Sequence, residues 1–162
     1  MKKILVIGCP GAGKTTFAKK LQEKLNLPLY HLDLIWNKPD KTTLEKEEFD
    51  NILTDILNKD EWIIDGNYQR TLEKRIISCD TIFLLDYPLH VCLNGARVRI
   101  GKKRDDMPWI EEELDKNFEG KIVDFHNEKL SEIYNLLDEY DDKRIIIFRN
   151  REGSEEYLKK YI

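Results

Sequence analysis

A chain of 162 residues with 41% hydrophobic and 36% charged residues is long enough to bury a core and too apolar to stay disordered. Its net charge of −4 argues against direct binding to nucleic-acid backbones, which calls for a positive excess. No apolar run reaches the length of a membrane span, and three cysteines without C-x-x-C spacing imply neither a disulfide framework nor a zinc site, so a single cytoplasmic domain over residues 1–162 with reduced thiols is expected.

In chain order, KKILVIG (residues 2–8) is a continuous apolar run, as in a strand buried on both faces, and is too short for a secretory signal. KTTFAKKLQEKLN follows with Phe17, Leu21 and Leu25 at four-residue spacing, which predicts a helix. LPLYHLD (27–33) reads as a second strand, in which His31 alternates to the sheet face opposite its neighbours. Thr42 to Glu45 has the T-x-x-E form of a capping box ahead of a helix that carries Phe49, Ile52, Leu53, Ile56 and Leu57 on one face. EWIID (61–65) is a third strand, RTLEKRII (70–77) a helix, TIFLLD (81–86) a fourth strand, and LHVCLNGARVRI (89–100) a helix. Residues 109–140 show one long helical pattern that Gly120 is expected to break. RIIIF (144–148) is a fifth strand, and SEEYLKKYI (154–162) closes the chain as a helix.

Strands alternating with helices predict an α/β fold built on a parallel sheet covered on both faces. Ligands of such sheets sit at the carboxyl ends of the strands, which puts Gly8, Asp33, Asp65, Asp86 and Arg149 on one rim. Gly8, Gly13, Lys14 and Thr15 match G-x-x-x-x-G-K-[ST] between a buried strand and an amphipathic helix. In such a phosphate loop the amides of Gly11, Ala12, Gly13 and Thr16 form part of an anion nest. Lys14 reaches the β- and γ-phosphates, and the Thr15 hydroxyl ligates Mg²⁺. Asp65-Gly66 ends an apolar strand, so its carboxylate is the second expected Mg²⁺ group. NKPD (37–40) matches a guanine-reading motif but follows no strand, and reads as a polar loop. Arg97 to Arg104 carries five cations in eight residues, and Arg97 and Arg104 are the candidates for neutralising charge on a moving phosphoryl group. Cys9 reads as loop filler or as a thiol beside a positive site.

The chain resembles the adenylate kinase-like P-loop kinases over nearly its whole length, and within them the small DNA topology modulation proteins. The resemblance is carried by GCPGAGKTT, LPLYHLDLIW, EWIIDGNY followed by Arg75, TIFLLDYP and the RDDM element. It implies a three-layer P-loop NTPase fold with a five-stranded parallel sheet in the order 2-3-1-4-5, an acceptor-side segment over about 33–75 and a short lid over about 97–118. Asp65 matches the carboxylate that supports Mg²⁺, and Asp33 the place where the acceptor is met. Trp36, Gly66, Asn67, Tyr68, Arg70 and Arg75 would line the acceptor side, and Asn150 and Arg151 lie in the loop near the purine. Adenylate kinases carry DGFPR where this chain has DGNYQR, so Arg70 is displaced and the acceptor stays open. The expected function is Mg²⁺- and ATP-dependent transfer of the γ-phosphoryl group to a nucleotide or small metabolite by a monomer or homodimer. The alternatives are a nucleotide-controlled regulator of DNA topology and a simple NTPase.

Overall fold

All five apolar runs become strands, in a computed structural model that describes residues 1–162. β1 (Lys3–Gly8), β2 (Leu29–His31), β3 (Trp62–Asp65), β4 (Thr81–Leu85) and β5 (Arg144–Phe148) pair in parallel in the order β2-β3-β1-β4-β5. This is the order that the resemblance implied. Alternate residues of a strand face opposite sides, yet Ile4, Leu5, Val6 and Ile7 are all 0% exposed, so helices cover both faces of β1.

The helices are α1 (Lys14–Leu25), α2 (Leu32–Trp36), α3 (Lys46–Leu57), α4 (Gln69–Ser78), α5 (Leu89–Val98), α6 (Lys116–Asp124), α7 (Leu130–Glu139) and α8 (Arg151–Tyr161). α1 buries Phe17, Ala18 and Leu21 against the sheet and also meets α8. Phe17, Phe83, Phe148 and Tyr157 form one aromatic cluster, with ring centroids 5.1 to 5.9 Å apart. No helix is long and apolar enough to cross a membrane.

Four expectations about boundaries are corrected. The capping box at Thr42 does not form: the Thr42 hydroxyl donates to Asp40, Thr43 bridges to Asn37, and α3 starts three residues later than a Thr42 cap would place it. The short α2 was not foreseen; it follows β2 directly and turns the chain into the tight loop that contains NKPD. The helical pattern at 109–140 begins only at Lys116, because Asp115 caps α6 through the Asn117 amide at 3.0 Å. Upstream, Glu111 is held by the Gly101 amide and by Arg104. Gly120 lies inside α6 and breaks nothing; the interruption is a π-helical turn at Phe125–Lys129. Finally, α8 starts at Arg151 rather than Ser154, with the Asn150 side chain accepting from the Gly153 amide at 2.7 Å as its N-cap.

Candidate active site

Strand register brings the predicted rim together. Val6 lies beside Asp65, Asp65 beside His31, and Gly8 beside Leu85. A cleft of about 660 Å³ runs along this rim. It is lined by the loop from Pro10 to Thr16, by Asp33, Asp65, Gly66, Asn67 and Tyr68, and by Arg99, Arg104, Asp106 and Arg151.

The phosphate loop is set by backbone geometry. Gly11 has φ of 86°, and a Cβ there would stand 2.1 Å from the Cys92 carbonyl oxygen of α5. Gly95 is the reciprocal contact, since its Cβ would stand 2.0 Å from the Gly11 oxygen. Loop and helix thus meet main chain to main chain, which only glycine permits. The Gly11→Ala variant is expected to lose about 3 kcal/mol from left-handed strain and overpacking. A thermal melt should show this as a fall of about 6–12 °C in Tm. Gly13 carries φ of 93° and caps α1, so the amides that open the helix face the cleft. The Cys9 carbonyl accepts from the Ala12 amide at 3.0 Å and from Lys14 Nζ at 3.1 Å.

Beside the loop lies a cluster of hard oxygen atoms. The Thr15 hydroxyl is 2.8 Å from Asp65 Oδ2 and 3.2 Å from Asp106 Oδ2. One hydroxyl proton cannot serve two carboxylates, and the surplus negative charge suits a divalent cation such as Mg²⁺. His31 Nδ1 meets the same Asp65 oxygen at 2.9 Å. His31 therefore points toward the site, as the register partner of Asp65 on the neighbouring parallel strand. Asp106 was not singled out by its sequence position. Burial pushes its carboxyl up, and the Arg104 guanidinium at 2.7 and 2.9 Å outweighs that, holding it below the ordinary carboxylate range.

On the other side of the cleft, Tyr68 donates its hydroxyl to Asp33 Oδ1 at 2.7 Å. Burial raises the Asp33 carboxyl above its usual pKa, and the Tyr68 hydrogen bond and the Lys14 charge only partly oppose this. Trp36, Phe49 and Tyr68 form an aromatic cluster with centroids 5.4 to 6.3 Å apart. Trp36 lies in a smaller notch of about 220 Å³, with Phe49, Tyr68 and Arg70, and does not line the main cleft.

Several residues named from sequence sit elsewhere. Arg75 is 0% exposed and gives its guanidinium to the carbonyls of Gly66 (2.7 Å), Asn67 and Tyr68 (3.0 Å), so it shapes the loop after β3 from behind. Asn67 lines the cleft but spends its amide on Gly8, accepting from the amide at 3.1 Å and donating to the carbonyl at 2.7 Å. Arg70 makes a forked pair with Asp50 at 2.8 and 2.9 Å. Arg97 is turned outward to Glu119 at 3.0 Å. Arg99 lines the cleft in its place, with its guanidinium over the Phe118 ring at 5.0 Å and its Nε buried without a partner. Helical phase was the signal for it: Cys92, Ala96 and Arg99 share the face of α5 that meets the loop. Asn150 is occupied as a helix cap, whereas Arg151 reaches the cleft beside Gly95. Arg149 pairs with Asp86.

No family model matches the chain. Over 91 residues, 54% of this chain and 40% of the relative, it is 32% identical to adenylate kinase of Thermotoga neapolitana. The chain thus spans well under half the length of the curated relatives it matches. Among solved structures it is similar to shikimate kinase from Acinetobacter baumannii in complex with shikimate, with TM-score 0.64 and 17% identity over 99% of this chain and 90% of that one. Shikimate kinase from Bacteroides thetaiotaomicron gives 0.60 and 19% over 97% and 94%. A gluconokinase from Sinorhizobium meliloti gives 0.57 and 12% over 98% and 87%.

Proposed function

We propose that this chain, an adenylate kinase-like P-loop kinase in fold, transfers the γ-phosphoryl group of ATP to a small acceptor, a nucleotide or a hydroxyl-bearing metabolite, with Mg²⁺. The observation that carries this reading is a shared cleft. The phosphate loop lines one part of it and the Asp33–Tyr68 pair another, and Lys14 is near enough to Asp33 to act on its charge.

Roles follow from position. Loop amides and Lys14 would hold the phosphates, and the Lys14 ammonium now resting on the Cys9 carbonyl has to swing only within its own loop. Thr15, Asp65 and Asp106 would hold Mg²⁺, directly or through water, and bound Mg²⁺ neutralises charge on the transferred group. His31 orients Asp65. Asp33 would orient the acceptor and take its proton as the acceptor oxygen bonds to phosphorus and the bond to the β-phosphate oxygen breaks. Arg99 and Arg104 offer positive charge from the segment that follows α5, which would act as the lid.

The Lys14→Ala variant is expected to bind ATP more weakly by about 1.5–3 kcal/mol, the loss of charge-assisted hydrogen bonds. Titration calorimetry should read this as a rise in Kd of about 10- to 150-fold. A panel of nucleotides, nucleosides and small alcohols incubated with Mg²⁺ and ATP tests the reading itself. ADP release above the acceptor-free rate supports a kinase; fast release that no acceptor alters supports an NTPase.

A further inference from the structure

Three side chains that the cleft does not use converge beside the phosphate loop. Cys9 Sγ, Cys92 Sγ and a ring nitrogen of His126 all lie within 4.8 Å of one another. They come from the loop, the first turn of α5 and the π-helical turn after α6. Cys9 and Cys92 are 1% and 0% exposed, and His126 is half-buried. The ring presents Nε2 to the Tyr87 carbonyl at 2.8 Å. Its Nδ1 lies 3.1 Å from the Ile122 carbonyl and 3.5 Å from Cys9 Sγ.

A hydrogen bond from Nε2–H to Tyr87 leaves Nδ1, 3.5 Å from Cys9 Sγ, as the ring atom open to a metal, and such a bond is how proteins orient a metal-binding imidazole. In that tautomer Nδ1 has no proton for the Ile122 carbonyl. A lone pair then faces the Ile122 oxygen and the Cys9 sulfur, with the Cys92 sulfur within 4.8 Å, an arrangement that calls for positive charge.

We propose that Cys9, Cys92 and His126 form a binding site for one thiophilic divalent cation of the zinc class, separate from the oxygen-lined cluster at Thr15. Sulfur and imidazole select such an ion over Mg²⁺. Tetrahedral bonds of about 2.0–2.3 Å place ligands about 3.5–3.8 Å apart, so closing the site from its present spacing needs a shift of about 1 Å. Binding displaces the two thiol protons and any second proton on the ring, with the ion taking their place and no change in oxidation state. The ion would tie the loop residue whose carbonyl receives Lys14 to α5 and to the π-helical turn.

Cobalt(II), as a spectroscopic stand-in for zinc, tests this on the full chain, reduced and free of nucleotide. The expected result is a thiolate-to-cobalt charge-transfer band that saturates at one equivalent, releases protons and is abolished by added Zn²⁺. The band should disappear in Cys92→Ser and survive in Cys79→Ser, whose thiol lies at the far end of α4. His126→Gln, at a half-exposed position, keeps the test decisive if Cys92→Ser does not fold, and should weaken cobalt binding by at least about tenfold. Absence of a band in the reduced native chain, its persistence at full affinity in His126→Gln, or its loss in Cys79→Ser would each overturn the proposal.

Discussion

Replacing Arg75 by methionine is expected to destabilise the chain by about 3–5 kcal/mol, because it leaves buried carbonyls without donors. Arg75 is wholly buried, yet no carboxylate pairs with it. Its charge is instead spread over the carbonyls of Gly66, Asn67 and Tyr68 at the end of β3. Burial lowers its pKa to about 9, which still leaves it charged at neutral pH. Those three residues form the turn that carries Tyr68 at φ of 37°, a left-handed conformation that a tyrosine rarely adopts. With the guanidinium gone, the turn keeps the Asn67 bonds to Gly8 and the Thr71 bonds to the Tyr68 carbonyl but loses the donors that join its three carbonyls, and the Tyr68 hydroxyl is expected to shift from Asp33. Urea denaturation should therefore show the full stability loss, and acceptor-dependent turnover should fall even where the variant remains folded. Lysine should not rescue it, since one ammonium cannot match a planar fork set against three successive carbonyls. A loss below about 1 kcal/mol, the worth of a single ordinary hydrogen bond, would contradict this assignment.

The Asp33→Asn variant is expected to lower acceptor-dependent turnover by about 10²–10⁴-fold, the usual contribution of a positioned general base. ATP affinity should stay within a factor of about two, since Lys14 and the loop amides are untouched. The same change should raise stability at neutral pH. Burial raises the pKa of Asp33 in the folded chain, so the native state holds that proton more tightly than the unfolded state does. This group's contribution to stability is greatest below the ordinary carboxylate value and is lost as pH rises through the higher folded value. Asparagine keeps an oxygen for Tyr68 and never ionises, so melts of the two proteins should diverge as pH rises through that window. The native chain's acceptor-dependent rate should show an acid limb above the ordinary carboxylate pKa, and the variant should lack it. Unchanged turnover in Asp33→Asn would remove Asp33 from the chemistry.

The difference between what could and could not be read from sequence lies in whether a feature is local. The phosphate loop is contiguous, and its flanking strand and helix declare themselves by their own periodicity, so Gly8 to Thr15 was legible in full. Asp65 was legible because a strand end is a local fact and a parallel sheet aligns such ends. The direction of a long side chain is not local. Arg70 turns to Asp50, from the separate helix α3, and Arg97 turns to Glu119, from α6. Neither partner can be inferred without the fold. Arg75 gave a partial signal, because Leu72 and Ile76 put it within the buried stripe of α4, where an arginine acts from behind the surface. His31 was misplaced because its face is set by its pairing with Asp65 on β3, a register that β2 alone does not reveal. The π-helical turn at Phe125–Lys129 contains neither glycine nor proline, so residue preference pointed to Gly120 instead. That turn also brings His126 to Cys9 and Cys92, a cluster assembled from three distant segments.

Transfer of label from ATP tests the central claim most directly. ATP labelled in its γ-phosphoryl group, supplied with Mg²⁺ and the acceptor that most raises ADP release, should deliver its label into a covalent phosphoester of that acceptor. The Lys14→Ala and Asp33→Asn variants should lose this product. Label recovered only as inorganic phosphate, at a rate indifferent to every acceptor tried, would contradict a phosphotransferase built around this cleft.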